Sequence, residues 1–244
     1  MTPDEIVRME RCHVKAWPAF EKRNLHGWHW RCCGGGSQRE YSVSTVDFTG
    51  DDPDRAIADV EELYRAKDTV ARFHTFDLTQ PAGLADRLRA RGYRETEATI
   101  TMVKRVEDRK APSDTQQYAD AVPAWRDVYL GAITENRRAV NARILDAIPE
   151  PRRFFGCRRD GRVISTALSV TGFGCAVIEC VATREDARRQ GGAEAVLQAL
   201  EGWVASRTID LIGLQVVAAN APAVALYERL GFVPAAFNRF WVKP

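Results

Sequence analysis

Six consecutive residues have the composition of an anion-binding turn. They are Arg188, Arg189, Gln190, Gly191, Gly192 and Ala193. An apolar stretch predicted as a strand (175–183) precedes them, and an apolar-periodic stretch predicted as a helix (193–205) follows. A helix N-terminus carries free N–H groups and partial positive charge, and glycine lets the backbone approach a phosphate without a Cβ in the way. These residues alone leave two interpretations open, a phosphate cradle and a plain turn with solvated arginines.

A second set of residues suited to chemistry lies about thirty residues further on. Asn220 follows a predicted strand (210–217) and precedes a predicted helix, so its side chain is placed to cap that helix or to bind a ligand amide. Tyr227 lies two helical turns later on the same face, and Gly231 with Phe232 ends the helix. An N-cap and a half-buried tyrosine would explain either residue on its own.

Glu179 is a carboxylate inside the otherwise apolar predicted strand 175–183. Because side chains alternate along a strand, Glu179 and Val181 are predicted to point to the same side. Burial raises the pKa of a carboxyl group, and a raised pKa suits a general base that takes a proton from an amine. Glu179 is therefore a candidate general base. The alternatives are a solvent-facing strand residue and a partner for a nearby arginine.

Length and charge narrow the class of protein. With 244 residues the chain suits one large domain or two small ones. Lysine and arginine number 35 against 33 acidic residues, a formal net charge of +2, which is too balanced to predict a nucleic-acid partner. The sequence has no run of about 18 apolar residues that predicts a membrane span, and its acidic beginning is unlike a signal peptide, so a cytoplasmic protein is expected. Neither a P-loop motif nor a dinucleotide-binding glycine fingerprint is present.

Four potential zinc ligands, His26, His29, Cys32 and Cys33, lie within eight residues. The stretch around them alternates like a strand, which sends His29 and Cys32 to opposite faces. His26 and Cys32 share a face but are far apart along an extended chain. A strand leading into the glycine turn at 34–36 explains these residues better than a metal site, so no metal is expected.

Hydrophobic periodicity predicts a first half of alternating helices and strands. Its elements are a helix (3–20), a hairpin of strands (27–33 and 39–48), a helix (51–68), a strand (70–76), a helix ended by Gly92 (83–94) and a closing strand (98–106). The polar, proline-containing stretch 107–114 is the predicted linker. The sequence therefore predicts domains at 1–106 and 115–244.

The second half begins with two predicted helices. The first (115–133) would be capped by Ser113 or Asp114 and kinked at Pro123, and the second covers 134–148. A hairpin turning at Asp160-Gly161, the strand 175–183, a helix, a strand, a helix and a last strand complete the prediction. A faint repeat relates 72–103 to 213–242, since both run strand, loop, helix, glycine-aromatic stop, strand.

The two chemical motifs together resemble those of the GCN5-related N-acetyltransferase (GNAT) superfamily. Its pyrophosphate turn follows the pattern Arg/Gln-x-x-Gly-x-Gly/Ala, which residues 188–193 match. Its later pattern is matched by Asn220, Ala223, Leu226, Tyr227, Gly231 and Phe232. The resemblance covers 115–244, and one departure is Glu185 where the family usually has proline. The first half resembles the degenerate first half of tandem members through Gly27, Trp28, Arg31, Arg39, Ser42 and Val43.

The resemblance implies an α+β fold with three layers, in which helices flank a mixed, mostly antiparallel, splayed sheet in two tandem halves. It implies acetyl-CoA as cosubstrate, with the pyrophosphate on Arg188, Arg189, Gln190, Gly191, Gly192 and Ala193. The pantetheine arm would run along Val181, Ala182 and Thr183 and meet Asn220, Ala223 and Tyr227. A backbone N–H near Val181 would polarise the thioester oxygen. The first half would pack against the catalytic half and wall the acceptor pocket.

The implied reaction moves an acetyl group to a primary amine by direct attack. Glu179 would remove the amine proton, and Tyr227 would act as general acid to the CoA thiolate. The alternatives are a non-catalytic acyl-CoA sensor and a transferase for a longer acyl group. The acceptor, a small molecule or a peptide, is not specified by any motif, and both a monomer and a homodimer are compatible with the sequence.

Overall fold

The computed structural model describes residues 1–243, and these form seven α-helices and eleven strands. The helices are α1 (Pro3–Ala16), α2 (Pro53–Arg65), α3 (Leu84–Ala90), α4 (Pro123–Ala132), α5 (Glu135–Ala147), α6 (Gly192–Ala205) and α7 (Ala221–Arg229). The strands are β1 (Glu21–Leu25), β2 (Trp28–Cys32), β3 (Val43–Ser44), β4 (Arg72–Phe76), β5 (Arg94–Arg105), β6 (Thr115–Tyr118), β7 (Arg152–Arg159), β8 (Arg162–Gly172), β9 (Cys175–Thr183), β10 (Leu211–Val217) and β11 (Val233–Val242). Short 3₁₀ helices lie at Gln38–Tyr41 and Glu185–Ala187.

All eleven strands form one sheet in the order β1-β2-β3-β4-β11-β5-β10-β9-β8-β7-β6. Most neighbours are antiparallel, and the parallel pairs are β3 with β4 and β9 with β10. The predicted α+β class, with a mixed and mostly antiparallel sheet flanked by helices, is therefore confirmed.

The two halves exchange strands at the centre of this sheet. The C-terminal strand β11 lies between β4 and β5, and β5 in turn lies between β11 and β10. The two copies of the predicted repeat therefore interleave, each separated by a strand of the other. The stretch 107–114 contains no helix or strand, and the division into domains at 1–106 and 115–244 stays a prediction.

The parallel pair β9 and β10 opens at its carboxyl end. Pairing runs from Ala176 with Ile212 to Ile178 with Leu214 and then stops, although both strands continue. Two hydrophobic cores cover the two faces. On one face α1, α4 and α5 contribute Met9, Cys12, Trp125, Val128 and Ile144. On the other face α6 and α7 contribute Val196, Leu200, Trp203 and Tyr227.

Two predicted elements were wrong. Residues 39–48 contain most of the 3₁₀ helix Gln38–Tyr41 and the two-residue strand β3. The fully buried Glu40 and the half-buried Arg39, which pairs with Glu179, interrupt an extended strand. Residues 115–118 form the edge strand β6 paired with β7, and the helix begins only at Pro123. The proline keeps Val122 extended (φ −66°, ψ 157°) and occupies the first turn, where its missing N–H costs nothing.

The four residues weighed as zinc ligands have separate surroundings. His26 Nε2 lies 2.7 Å from Asp59, while Cys32 and Cys33 pack into different hydrophobic cores. Within residues 1–243, none of the helices has both the length and the apolar character needed to cross a bilayer.

Candidate active site

The turn before α6 leaves the helix N-terminus open. Gly191 is the N-cap residue in the left-handed conformation (φ 79°), and in residues 1–243 no side chain caps the helix. Arg189 is also left-handed (φ 63°). Such alternation of backbone conformation is typical of turns whose N–H groups converge on an anion. This conformation and the partial positive charge of α6 suit the anion cradle predicted from the sequence, and its role in binding stays a prediction.

The two glycines of the turn have different tasks. A Cβ on Gly192 would overlap the Ser165 hydroxyl, so this glycine lets α6 approach β8 closely. A Cβ on Gly191 would meet only the Arg159 guanidinium, 3.9 Å away, so the space beside Gly191 is open. Ser165 also lies 2.9 Å from the hydroxyl of Thr183 at the end of β9.

The polar side chains of residues 188–190 are exposed to solvent. Arg188 lies 3.8 Å from Glu185, and both side chains are largely exposed. Gln190 donates to the carbonyl oxygen of Asp186. Glu185, which replaces the family's proline, is 90% exposed in its side chain, so it is screened by water and leaves the cradle positive.

A β-bulge interrupts β9 where it leaves β10. Leu168 of β8 pairs with Glu179, but Thr166 pairs with Ala182, so β9 has one extra residue. Cys180 takes up the distortion with a positive φ of 56°. A bulge leaves one residue outside the regular ladder, and the carbonyl oxygen of Cys180 instead accepts from the Thr166 hydroxyl at 3.1 Å.

The bulge also overturns one prediction. Glu179 and Val181 do not share a side, because the extra residue reverses the alternation after Cys180. Glu179 points to the α1 face and contacts His13, whereas Val181 packs against the core beneath α6 and α7. The carboxylate and the hydroxyl of Tyr227 therefore approach the opening from opposite faces of the sheet.

Glu179 is held by two residues of the first half. Its Oε1 atom accepts from Arg39 Nη2 at 2.8 Å and lies 3.5 Å from His13 Nδ1. Both contacts use the same oxygen, so Oε2 is left for a molecule in the adjoining cavity. Burial on its own raises the pKa of Glu179, but the charge of Arg39 and the contacts with both partners outweigh it and bring the pKa below its usual value. The predicted rise is wrong in sign, and the arginine partner considered as an alternative is the one observed.

Tyr227 lies on α7 and is 7% exposed. Its ring packs edge-on against Phe232, with 6.1 Å between ring centroids. Burial, together with the negative charge of Glu179, raises the pKa of Tyr227 to about 12. The hydroxyl is therefore protonated at neutral pH and available as a donor.

Asn220 is the N-cap of α7, and its Oδ1 accepts from the backbone N–H of Ala223 at 3.3 Å. The capping interpretation is thus the observed one, and it leaves the Asn220 amide nitrogen directed away from the cap. Ala223 packs against the same core as Tyr227.

A cavity of about 270 Å³ lies beside Glu179, between the two halves. The second half contributes Tyr129, Arg137, Gln215 and Val217 to its wall. The first half contributes Trp17, Ser37, Gln38, Arg39, Glu97, Thr99. The first half therefore lines the cavity next to the predicted base.

Sequence reasoning missed three polar residues of this region: His13, Glu97 and Gln215. His13 and Glu10 stand on the apolar face of α1, and Gln215 Nε2 donates to Glu10 Oε2 at 2.9 Å. A carboxylate and a histidine three residues apart on the buried face of a helix are a signal that could have been used, because buried charges need partners.

Comparisons with known proteins agree with this geometry. Residues 118–232 match the family model described as "Acetyltransferase (GNAT) family". The chain is 23% identical over 98% of its length to the uncharacterized N-acetyltransferase YobR of Bacillus subtilis (strain 168), covering 99% of that protein. A GCN5-related N-acetyltransferase from Kribbella flavida has the same fold, with a TM-score of 0.72 at 17% identity, covering 98% of this chain and 95% of that one.

A tandem GNAT protein from the clavulanic acid biosynthesis pathway also shares the fold, with a TM-score of 0.61 at 18% identity. The match covers 78% of this chain and 68% of that one. The family match agrees with two features of the structure, the uncapped N-terminus of α6 and the opening between β9 and β10. Residues 118–232, a little under half of the chain, thus match the GNAT acetyltransferase family model.

Proposed function

We propose that the protein transfers an acetyl group from acetyl-CoA to a primary amine. The observation that carries the proposal is the opening between β9 and β10, which has an uncapped helix N-terminus at one end. A carboxylate flanks the opening on one face and a protonated phenol on the other. An acyl-transfer site needs this combination of an anion cradle, a gap in the sheet, a proton acceptor and a proton donor.

The residues present fit acetyl-CoA. The backbone of residues 188–193, with Gly191 open to solvent, would hold the pyrophosphate, and Arg188 and Arg189 would add charge. The edge of β9 at Val181, Ala182 and Thr183 is free beyond its pairing with β10 and would bind the pantetheine arm. The Asn220 amide and Ala223 would contact that arm from α7. The bound cosubstrate supplies an activated acetyl thioester.

Glu179 serves the amine side of the reaction. An alkyl ammonium has a pKa of about 10.4, so it must lose a proton before it can attack. Because Arg39 keeps Glu179 ionised, its free Oε2 would bind the ammonium and then take the proton directly or through a water molecule. The amine nitrogen forms a bond to the acetyl carbon as the bond from that carbon to sulfur breaks.

Tyr227 serves the sulfur side. A thiol of ordinary pKa, about 8.5, is a stronger acid than a phenol whose pKa is raised to about 12. Tyr227 therefore acts chiefly by donating a hydrogen bond to the developing thiolate, and the thiolate takes a proton from it only as the phenol is reprotonated from solvent. A backbone N–H near Val181, at the bulge, would polarise the thioester oxygen.

The first half completes the acceptor side. It brings Arg39, His13 and Glu97 to a cavity next to the second half's Glu179. We therefore place the acceptor amine in the 270 Å³ cavity and assign the cosubstrate to residues 115–244. A cavity of this size suits a small amine or the end of a peptide chain.

Calorimetric titration of acetyl-CoA, followed by measurement of free thiol with added amines, tests the proposal. Micromolar binding that is lost in Gly191→Glu, with thiol release that depends on an amine, supports an acetyltransferase. Binding without amine-dependent release would favour the alternative of an acyl-CoA sensor. Faster release from a longer acyl-CoA than from acetyl-CoA would favour a longer acyl donor. No binding by the wild-type protein would refute both the cradle and the reaction.

A further inference from the structure

A second cavity, of about 720 Å³, is lined mainly by the first half and is larger than the cavity beside Glu179. It is bounded by α1, by the β1–β2 hairpin, by the segment after β3 and by the end of α5. Its volume is within the range of natural small-molecule sites. The transfer reaction proposed above makes no use of it.

Positive charge dominates the wall of this cavity. The basic residues that line it are Arg11, Lys15, Lys22, Arg23 and Arg31. Among its lining residues within 1–243, Asp47 is the only carboxylate. Arg11 already contacts both oxygens of Asp47, at 3.1 Å from Nε and 2.5 Å from Nη2. The remaining cations therefore face the cavity without a matching negative charge.

Arg31 is the strongest sign that an anion belongs here. Arg31 is only 2% exposed, and its polar contacts are the carbonyl oxygen and the hydroxyl of Ser42, at 3.3 and 3.4 Å. Neither group is charged. Within residues 1–243 no carboxylate forms an ion pair with this guanidinium, although the buried Glu40 is near enough to raise its pKa. The desolvation cost of the charge is therefore only partly offset. Burial, helped by the charge of Arg39, lowers the pKa of Arg31 to about 10, so the side chain is still charged at neutral pH.

The rest of the wall is apolar. Val14, Pro18, Val46, Pro149 and Phe173 line it, and the Phe173 side chain is half exposed. Such a surface favours a ligand with an apolar body over a bare inorganic ion. We propose that this cavity binds a small organic anion, in which a carboxylate, sulfonate or phosphate group meets Arg31 and an apolar body rests on the opposite wall.

The site is distinct from the one proposed for acetyl-CoA. The cradle lies at the N-terminus of α6, whereas this cavity is lined mainly by residues 11–49. Helix α1 connects the two regions, since its His13 contacts Glu179 while Arg11 and Lys15 line the cavity. The inference rests on the cavity and its charges and does not require the proposed transfer reaction.

Two fluorescent probes of the same shape test the charge requirement. 1-Anilinonaphthalene-8-sulfonate has an apolar body and one negative charge, and N-phenyl-1-naphthylamine is the same body without the sulfonate. We expect one high-affinity sulfonate site per chain, with affinity at least about tenfold above that of the neutral probe. Saturating acetyl-CoA should not displace the sulfonate. Equal affinity for both probes, or displacement by acetyl-CoA, would overturn the proposal.

Arg31→Met locates the site. The variant should lose the preference for the sulfonate by about tenfold while its affinity for the neutral probe stays the same. Arg207→Gln, which removes an exposed arginine near Trp203, is the matched control and should change neither affinity. If Arg31→Met fails to fold by near-ultraviolet circular dichroism, the exposed pair Lys22→Gln and Arg23→Gln takes its place. Unchanged sulfonate affinity in the folded variant used would refute the assignment.

Discussion

Helices α2 and α6 begin at equivalent places in the two halves, yet their N-termini differ. Each follows a strand that pairs in parallel with the next strand, β3 with β4 and β9 with β10. At α2 the Asp52 carboxylate accepts from the N–H groups of Asp54 and Arg55, at 2.9 and 3.1 Å. At α6 the N-cap is Gly191, which has no side chain to offer. One helix thus satisfies its own N-terminus, whereas the N-terminus of α6 stays open to the pyrophosphate that we propose it binds.

The comparison shows that two halves with the same arrangement of strands and helices can differ at a helix N-terminus through a single side chain. We propose that this difference restricts acetyl-CoA binding to the second half. The last helices of the two halves show the same contrast. Tyr227 precedes Gly231 by four residues, and in the first half Leu88 precedes Gly92 by four. Leu88 is fully buried and has no proton to donate. The first half therefore has no counterpart of the proposed cradle or of the proposed donor, but it has the layers that support the second half.

Gly191→Asp should have the largest effect, because it gives α6 the carboxylate cap of α2. A carboxylate there would occupy the free N–H groups and repel a pyrophosphate. We expect acetyl-CoA to bind at least about 100-fold more weakly by calorimetry. Gly92→Asp is the control, since Gly92 also has a positive φ (85°) and open space around its Cβ. Normal binding by Gly191→Asp would show that the open helix end is not the cradle.

Tyr227→Phe makes the second half resemble the first by removing the donor hydroxyl. We expect kcat to fall about 100-fold, because a positioned acid contributes roughly 10²-fold or more. The dissociation constant for acetyl-CoA should change by less than about twofold, since the ring is kept. Tyr93→Phe, in the first half, should leave kcat unchanged. An unaltered kcat in Tyr227→Phe would remove the hydroxyl from the mechanism.

Arg39→Met tests whether the supporting half still acts on the chemistry. Arg39 lowers the pKa of Glu179, so its loss should raise that pKa. A general base must be ionised, so the acid limb of the kcat/KM profile should move to higher pH. Arg137→Met removes the other arginine of the cavity and should shift that limb less. A profile that keeps its acid limb in place would argue against Glu179 as the base.

The ion pair between Arg39 and Glu179 also predicts how the free energy of unfolding depends on pH. Because the folded pKa of Glu179 is depressed, ionised Glu179 stabilises the fold above the unfolded pKa of about 4.3. That contribution is lost as the pH falls through the folded pKa. Chemical unfolding measured across the acid range should show a smaller loss on acidification in Glu179→Gln than in the wild-type protein.

Asp52→Ala has the smallest expected effect and completes the comparison. Removing a carboxylate N-cap should lower the free energy of unfolding by about 1 kcal/mol, measured by urea denaturation. Acetyl-CoA affinity should not change, because α2 lacks the glycine turn that precedes α6. Asp52→Asn should retain most of the stability, since an amide oxygen can accept the same N–H groups. If Asp52→Ala bound a second molecule of acetyl-CoA, the carboxylate cap alone would be what keeps α2 from binding it, contrary to this expectation.

Features that depend on neighbours in the chain were accessible from the sequence. The turn 188–193, the cap at Asn220 and the burial of Tyr227 follow from residue types and from the spacing of turns and helices. Most helices were predicted for the same reason. Their roles in binding and catalysis stay predictions.

Features that depend on distant residues were not accessible. Arg39 and Glu179 are 140 positions apart, so the sign of the Glu179 pKa could not be derived from its own strand. The bulge at Cys180 places an ordinary residue at positive φ, which no composition rule indicates. The edge strand β6 reads Thr-Gln-Gln-Tyr, a polar stretch that becomes a strand only because β7 lies beside it.

The position of β11 has a consequence for synthesis of the chain. Strands β4 and β5 are neighbours only through β11, which follows the other ten strands in chain order. The centre of the sheet therefore stays incomplete until β11 has been synthesised, although α1 through β10 precede it. Truncation before Val233 would split the sheet into two parts, each with a newly exposed edge.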